Sequence, residues 1–283
     1  MILGVLGEAC GFGADRHKGE EPVAAVDVQK LGDGADVVGG VVVGVPVEIL
    51  VDPVVAFTPT IADLLNEIAK IEGDFLIHLM TSHPKDASDE MIEALKSNPH
   101  CANCFHLPLQ SGSDAILKKM NRHYDTEKYL SIIDKLRQGR EDTVLTTDII
   151  VGFPGETDED FEKTIEIIKK VKYDSIFSFI YSRRKGTPAD KMEDHISEEI
   201  KHIRYDRLCQ VQNEISYELN AKYLGKELRV LVDGKSKNNE SVYTSRTEGG
   251  KIVHFECDTD YTGQFITVKI TKADTFALYG EII

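Results

Sequence analysis

TTDIIVGFPGETDEDF, residues 146–161, is half apolar and β-branched and half a helix start. The first half ends a strand predicted over 143–151 (TVLTTDIIV). In the second half Thr157 is an N-cap, with Asp158, Glu159 and Asp160 in the first helical turn, where carboxylates complement the helix dipole. Phe161, Ile165 and Ile168 then recur on one face, and Lys169 and Lys170 close the helix. Gly152-Phe-Pro-Gly155 supplies a tight connection, so the stretch reads as a strand turning directly into a helix, half of a βαβ unit.

Working outward, the same pattern repeats. Toward the N-terminus, Thr60 caps a helix with Ile61, Leu64, Leu65 and Ile68 as its stripe, ending near Gly73, and FLIHLM at 75–80 reads as a strand. Ser88 caps a second helix with Met91, Ile92 and Leu95 inward, before the apolar run FHLPL at 105–109. Helices follow at 114–120 and 126–137, the latter with Leu130, Ile133 and Leu136 on one face. Toward the C-terminus lies the strand SIFSFIYS at 175–182. Helix and strand alternating with short connections predict a parallel sheet, either doubly wound or a barrel, with its chemistry at the carboxyl tips of the strands.

Those tips carry the unusual residues: Thr81-Ser-His-Pro84, Gln110-Ser-Gly-Ser-Asp114, Gly152-Phe-Pro-Gly-Glu-Thr157 and Arg183-Arg-Lys-Gly-Thr-Pro188. Small residues permit close backbone approach, and the polar ones can bind hydroxyls, amines or carboxylates, which suits a polar ligand lying across the sheet edge. Taken singly, the glycine-proline segment can be only a turn, and 110–114 only a helix cap. His83 and His106 are expected to be structural. Cys101-Ala-Asn-Cys104 has the spacing of half a zinc or redox site, but Cys209 and Cys257 lie far off in other segments, so no tetrahedral site is expected.

A helix over 197–220 is predicted with Ile200, Ile203, Leu208, Val211, Ile215 and Leu219 inward. Beyond it the period changes to two, in ELRVLVDG, SVYTSRT, KIVHFEC and GQFITVKITKA, the pattern of a small all-β barrel.

Composition bounds the rest. The chain has 283 residues, 41% apolar and 29% charged, and no apolar run approaches the roughly 18 residues a membrane span needs. Its net charge of −15 excludes a global cationic field, so contact with nucleic acid must be local. The charges of 221–283 balance, which makes that zone the best place for RNA to dock. Five scattered cysteines and no secretory signal predict a reducing, cytoplasmic setting. Residues 1–57 stand apart: they lack Ser, Thr, Asn and Tyr and are rich in Gly and Val. Gly7, Gly11 and Gly13 do not match a dinucleotide loop, and no fold is assigned to this head.

TSHPKD (81–86), HLPLQSGSD (106–114), MNRHY (120–124), the 146–161 stretch and FIYSRRKGTPA (179–189) together resemble the radical S-adenosylmethionine methylthiotransferases, from about Thr60 to the C-terminus. TSHPKD favours the branch acting on isopentenylated adenosine beside the tRNA anticodon over the sister branch acting on a ribosomal protein. The resemblance implies an α/β fold: an incomplete parallel β/α barrel with a linker helix (58–220), followed by a small OB-like barrel, the RNA-binding TRAM domain (221–283). It implies that Gln110, Ser111, Ser113, Asp148, Gly152, Glu156 and Arg184 hold S-adenosylmethionine. Arg183 and Lys185 stand where the family usually has prolines. In the TRAM segment, Arg229, Lys235, Lys237, Arg246 and Lys251 are expected on phosphates, with Tyr243 or Phe255 stacking on bases or filling the barrel. Implied partners are a tRNA anticodon stem-loop and an electron donor of the flavodoxin or ferredoxin type.

The family's chemistry uses 4Fe-4S clusters. One is bound by C-x-x-x-C-x-x-C and another by three cysteines of an N-terminal domain; neither set occurs in this sequence. The expectation is a chain that keeps cofactor and RNA surfaces but lacks cluster ligands, its alternative function being a non-catalytic RNA- and S-adenosylmethionine-binding remnant. The narrow alphabet of 1–57 is expected of coding sequence read in a wrong frame or strand, or of a gene-model error. With early strands missing, the strand at 75–80 is expected to present an unpaired edge and to make the chain poorly soluble.

Overall fold

The computed structural model describes residues 2–5, 26–29, 59–79, 83–237 and 239–283. The tip residues Thr81 and Ser82, the glycines 7, 11 and 13, and most of the head lie outside the described residues.

Helices form where caps and stripes coincide. Helix α1 (Ile61–Ile68) begins at a capping box in which Thr60 and Asp63 bond each other's backbone, and it buries Ala62, Leu65 and Ile68. Helix α2 (Asp89–Ser97) is capped by Ser88 and buries Met91, Ile92 and Leu95. Short α3 (Asp114–Lys119) leads to α4 (Thr126–Arg137), whose buried face is Tyr129, Ile132, Ile133 and Leu136, with Leu130 only partly covered. Helix α5 (Asp158–Val171) has the second capping box, Thr157 with Asp160, and buries Phe161, Ile165 and Ile168.

Between the helices run β3 (Leu76–Leu79), β4 (Cys104–His106), β5 (Val144–Val151) and β6 (Ser175–Ile180). β4, β5 and β6 pair in parallel, in that order. β4 is shorter than the predicted 105–109 because Pro108 has no N–H to donate; pairing resumes at Gln110, whose N–H reaches the Asp148 carbonyl at 2.8 Å. A parallel bridge between Ile77 and Cys101 ties β3 toward this sheet. The expected open edge of β3 is a point of correction. Strand β1 (Ile2–Val5) pairs with it in parallel, and β2 (Val26–Gln29) pairs antiparallel with β1. Part of the head therefore covers the edge on which the expectation of poor solubility rested.

Strand alternation sorts the two faces. Leu145, Thr147, Ile149 and Val151 of β5 point into the core under the helices, whereas Thr146, Asp148 and Ile150 point to the opposite, concave face and remain partly exposed.

Helix α6 (Glu198–Ala221) departs from prediction in its first half. Leu208 and Ile215 are buried as expected, but Ile200 and Ile203 are 42% and 61% exposed, and the buried positions beside them are Lys201 and Arg204. The reason is what lies underneath. This end of α6 packs on the start of α5 and the segments after β5 and β6, and the Glu156 and Tyr181 carbonyls and the Glu156 carboxylate there select cations for the inward face.

Residues 227–282 close into a barrel. Strands β7 (Glu227–Ser236), β8 (Asn239–Thr247), β9 (Ile252–Glu256), β10 (Phe265–Ala273) and β11 (Leu278–Ile282) follow the order β10-β11-β9-β8-β7, and β7 pairs back to β10. β11 is absent from the sequence reading: Gly280 interrupts its alternation, and it is glycine because a Cβ there would lie 2.4 Å from the Lys269 carbonyl oxygen.

Candidate functional site

Two polar constellations flank the tips of β4 and β5, and they differ in what they touch. The first contains most of the residues expected to hold the cofactor. Ser113 Oγ donates to Asp160 Oδ1 at 2.6 Å, Ser111 Oγ accepts from the Ser113 N–H at 3.2 Å, and the Gly112 N–H donates to Thr164 Oγ1 at 2.9 Å. A Cβ on Gly112 would lie 2.4 Å from the Thr164 Cα, so only glycine lets this loop seat on α5. Gln110 is buried with a φ of 70°. Burial raises the Asp160 carboxyl, but the hydrogen bonds from Ser113 and Thr157 outweigh it and hold the group below its usual range.

Glu156 belongs to the same network. It is 3% exposed, accepts from the Gly152 N–H at 2.9 Å and is met by Arg204 Nη1 at 2.7 Å. Burial pushes its carboxyl up, against the opposing pull of Gly152 and Arg204. Arg204 also bonds Asp158, and Lys201 Nζ donates to the Tyr181 carbonyl at 3.2 Å. Gly152, with φ 76°, is required because the Lys201 side chain lies across it: a Cβ would fall 2.4 Å from Lys201 Cγ. Ser111, Ser113 and the Glu156 carboxylate, expected against a cofactor, thus also make hydrogen bonds within the protein, and Ser113 and Glu156 help join α5 and α6 to the sheet. Lys201 and Arg204, which sequence reasoning missed, do the joining; the visible signal was two cations inside an otherwise apolar stripe.

The second constellation lies on the concave face. His106 Nδ1 shares a hydrogen bond with Thr146 Oγ1 at 2.8 Å, and His106 Nε2 stands 3.6 Å from Asp148 Oδ1. Thr146 is the cross-strand partner of His106 on one side and Ser175 on the other, and Asp148 is the partner of Phe177. The Phe177 ring meets His106 edge-on at 5.7 Å. One pleat further, Ile150 pairs with Phe179. Phe177 and Phe179 are 54% and 53% exposed. Of the residues expected to bind the cofactor, Asp148 is on this face and Arg184 is exposed in the segment after β6. His106, expected to be structural, is a member of the open site, and Phe177 and Phe179 are residues the sequence reading did not single out.

In the small barrel, Tyr243 and Phe255 are buried and stacked on each other at 5.8 Å, so both fill the interior and neither is presented to bases. Lys251 is likewise withdrawn: Nζ pairs with Asp174 Oδ1 at 2.6 Å and bonds Asn220 Oδ1 at 2.9 Å, with about a tenth of each charged side chain exposed. Arg229 pairs with Asp74 and lies 3.9 Å over the Phe265 ring, and Arg246 pairs with Asp233 at 2.9 Å. Lys235 and Lys237 are exposed. The tip between β8 and β9 is seated on the parallel sheet, where a Cβ on Gly249 would lie 2.4 Å from Val144 Cγ2.

The described cysteines lie in separate segments, apart from the pair Cys101 and Cys104. Burial pushes the Cys101 and Cys104 thiols up to about 12. Cys104 Sγ lies 3.4 Å from His78 Nδ1, at the amino end of β4 and away from the tips. Cys209 is on α6 and Cys257 follows β9. Among the described residues no group of three His, Cys, Asp or Glu is placed to hold a metal. Cys10 lies outside them.

Fold and site define a parallel β/α half-barrel with an open concave face, seated on a closed five-stranded β-barrel. Comparison with known proteins agrees. The sequence signature of the Radical SAM superfamily matches residues 10–168, and that of the TRAM domain matches 221–283. The chain belongs to the Radical SAM superfamily and carries a TRAM domain. It is 52% identical over 224 residues to a tRNA-2-methylthio-N(6)-dimethylallyladenosine synthase of Clostridium botulinum (79% of this chain, 50% of the relative). To the like-named proteins of Acetivibrio thermocellus and Fusobacterium nucleatum it is 47% and 48% identical, over 78% of this chain and 46% and 51% of theirs. The chain therefore spans about half the length of these relatives. Among solved structures, Escherichia coli coproporphyrinogen III oxidase, a radical SAM enzyme, superposes with a TM-score of 0.46 at 15% identity, over 66% of this chain and 50% of that one.

Proposed function

We propose that this chain is the substrate- and cofactor-handling portion of a tRNA methylthiotransferase, acting at carbon 2 of N6-dimethylallyladenosine next to the anticodon. The observation that carries this reading is identity of about half the residues to synthases of that name across both the half-barrel and the TRAM domain. In the reading, S-adenosylmethionine lies at the strand tips, with Arg184 toward its carboxylate and the backbone around Gln110 and Gly152 beneath its adenosine. When bound it supplies the radical chemistry of the superfamily. The protein's own contribution is to orient the two ligands over the concave face and to keep α5, α6 and the sheet tips rigid through Asp160, Glu156, Lys201 and Arg204. Lys235 and Lys237, with Arg229 and Arg246 exchanging carboxylates for phosphates, provide the local RNA contacts that an overall acidic chain needs. A flavodoxin- or ferredoxin-type electron donor and a cytoplasmic setting belong to the same reading; no described helix is long and apolar enough to cross a membrane.

The lack of a C-x-x-x-C-x-x-C pattern in this sequence favours a second reading, a protein that binds RNA and S-adenosylmethionine without performing the radical step. Anaerobic iron-sulfur reconstitution separates the two. Uptake of about four irons with cleavage of S-adenosylmethionine supports the enzyme. Tight binding of an anticodon stem-loop with neither supports the binding protein. Failure to bind S-adenosylmethionine or the stem-loop would sink both.

A further inference from the structure

Two phenylalanines on consecutive concave-face positions of β6 are each more than half exposed, while Phe105, Leu145, Ile149 and Val151 of the same sheet are buried. They are also not surrounded by random surface. Phe177 is flanked across the strand by the Asp148 carboxylate and edge-on by His106, and Phe179 is flanked by Ile150. The concave face thus divides within two pleats into a polar half (His106, Thr146, Asp148) and an apolar half (Ile150, Phe177, Phe179).

We propose that this boundary is the specificity subsite for an N6-alkylated adenine. Asp148 accepts the single N–H left on N6, and Phe177 and Phe179 pack the branched apolar substituent on the same nitrogen. His106, held by Thr146, positions the carboxylate. The assignment rests on the tRNA-modifying reading above and deepens it by naming the residues that distinguish a prenylated adenosine from a plain one. The chemistry matches the two halves. A secondary amine at N6 offers one donor and one alkyl group from the same atom, and the site offers one acceptor and one apolar platform on paired residues of adjacent strands. An aromatic platform suits a flat base and an alkenyl chain alike. The assignment moves Asp148 from the cofactor, where the family resemblance had it, to the substrate.

The test uses the whole chain and two anticodon stem-loop RNAs identical except for adenosine or N6-dimethylallyladenosine at the position next to the anticodon, with binding read by fluorescence anisotropy. The wild-type chain is expected to prefer the alkylated RNA by about tenfold or more, the scale of discrimination a few buried carbons give. The double variant Phe177→Ala/Phe179→Ala is expected to bring the ratio to within about twofold while retaining the RNA affinity supplied elsewhere. Asp148→Ala is expected to weaken both RNAs by about tenfold and leave their ratio in place, since both carry an N6–H. A wild-type ratio of one with tight binding, or a double variant that keeps the preference, overturns this subsite alone. Binding of neither stem-loop above an unrelated duplex of equal length overturns the tRNA reading as well. Because the three side chains are at least partly exposed, unchanged thermal melting of the variants separates lost recognition from lost folding.

Discussion

The buried network around Ser113, Glu156 and Arg204 and the open face around His106, Asp148 and Phe177 lie on either side of the same strand tips, yet they answer to different physics. The first holds most of the motif residues that look functional in one dimension, and it is tightly packed: Asp160 and Glu156 have their donors, and Gly112 and Gly152 have a neighbour where a Cβ would be. The second holds groups whose polar and aromatic surfaces face outward. Conspicuous motif residues can therefore be conspicuous because packing is exacting, and the surface left over for chemistry can be built from residues that stand out less.

The contrast can be broken most forcefully at Arg204. Arg204→Ala leaves the Glu156 carboxylate buried without its cation and is expected to cost about 3–5 kcal/mol in denaturant unfolding. A loss below about 1 kcal/mol would mean that the pair behaves as a surface salt bridge. Gly112→Ala comes next. Its Cβ meets backbone of α5 that cannot swing aside, so a loss of about 1–3 kcal/mol is expected, together with faster amide exchange at Thr164.

Ser113→Ala is expected to cost about 1.5–3 kcal/mol at neutral pH, because it removes a hydrogen bond to an ionised group. Its pH dependence sharpens the comparison. The Asp160 carboxyl is held below its unfolded value, so its hydrogen bonds stabilise the fold fully above the ordinary aspartate range and progressively less as pH falls through the folded value. The gap between wild type and variant should narrow toward acid. A gap constant from pH 7 to pH 3 would show that Asp160 is not the group responsible.

Smallest is the effect expected on the open face, where Phe177→Ala should change stability by less than about 0.5 kcal/mol. A large loss there would show that the ring is a packing element and that the two regions do not differ as described.

Much of the half-barrel was legible because its signals are local. Thr60, Ser88 and Thr157 announce helices through caps, and 143–151 announces a strand by its β-branched run. Where the reading failed, the deciding partner was distant in sequence. Ile200 and Ile203 satisfy a helical period as well as Lys201 and Arg204 do, and only the carboxylate and carbonyls beneath α6 choose between them. Lys251 looks like any surface lysine until Asp174, far back in the chain, is brought beside it. The same holds for the site: Asp148 and His106 were visible as residues, but their shared face with Phe177 exists only after β4, β5 and β6 are laid side by side.

The seat of the small barrel carries a consequence for how these two domains can vary. Gly249 presses on Val144, Lys251 on Asp174 and Asn220, and Arg229 on Asp74, so the junction at 220/221 is a boundary in composition but not in contact. A TRAM barrel moved onto another half-barrel would bring a buried lysine whose counter-charge stayed behind. The portable unit is the barrel with its socket, and changes at Asp174 and Lys251 are to be expected as pairs in the history of such chains.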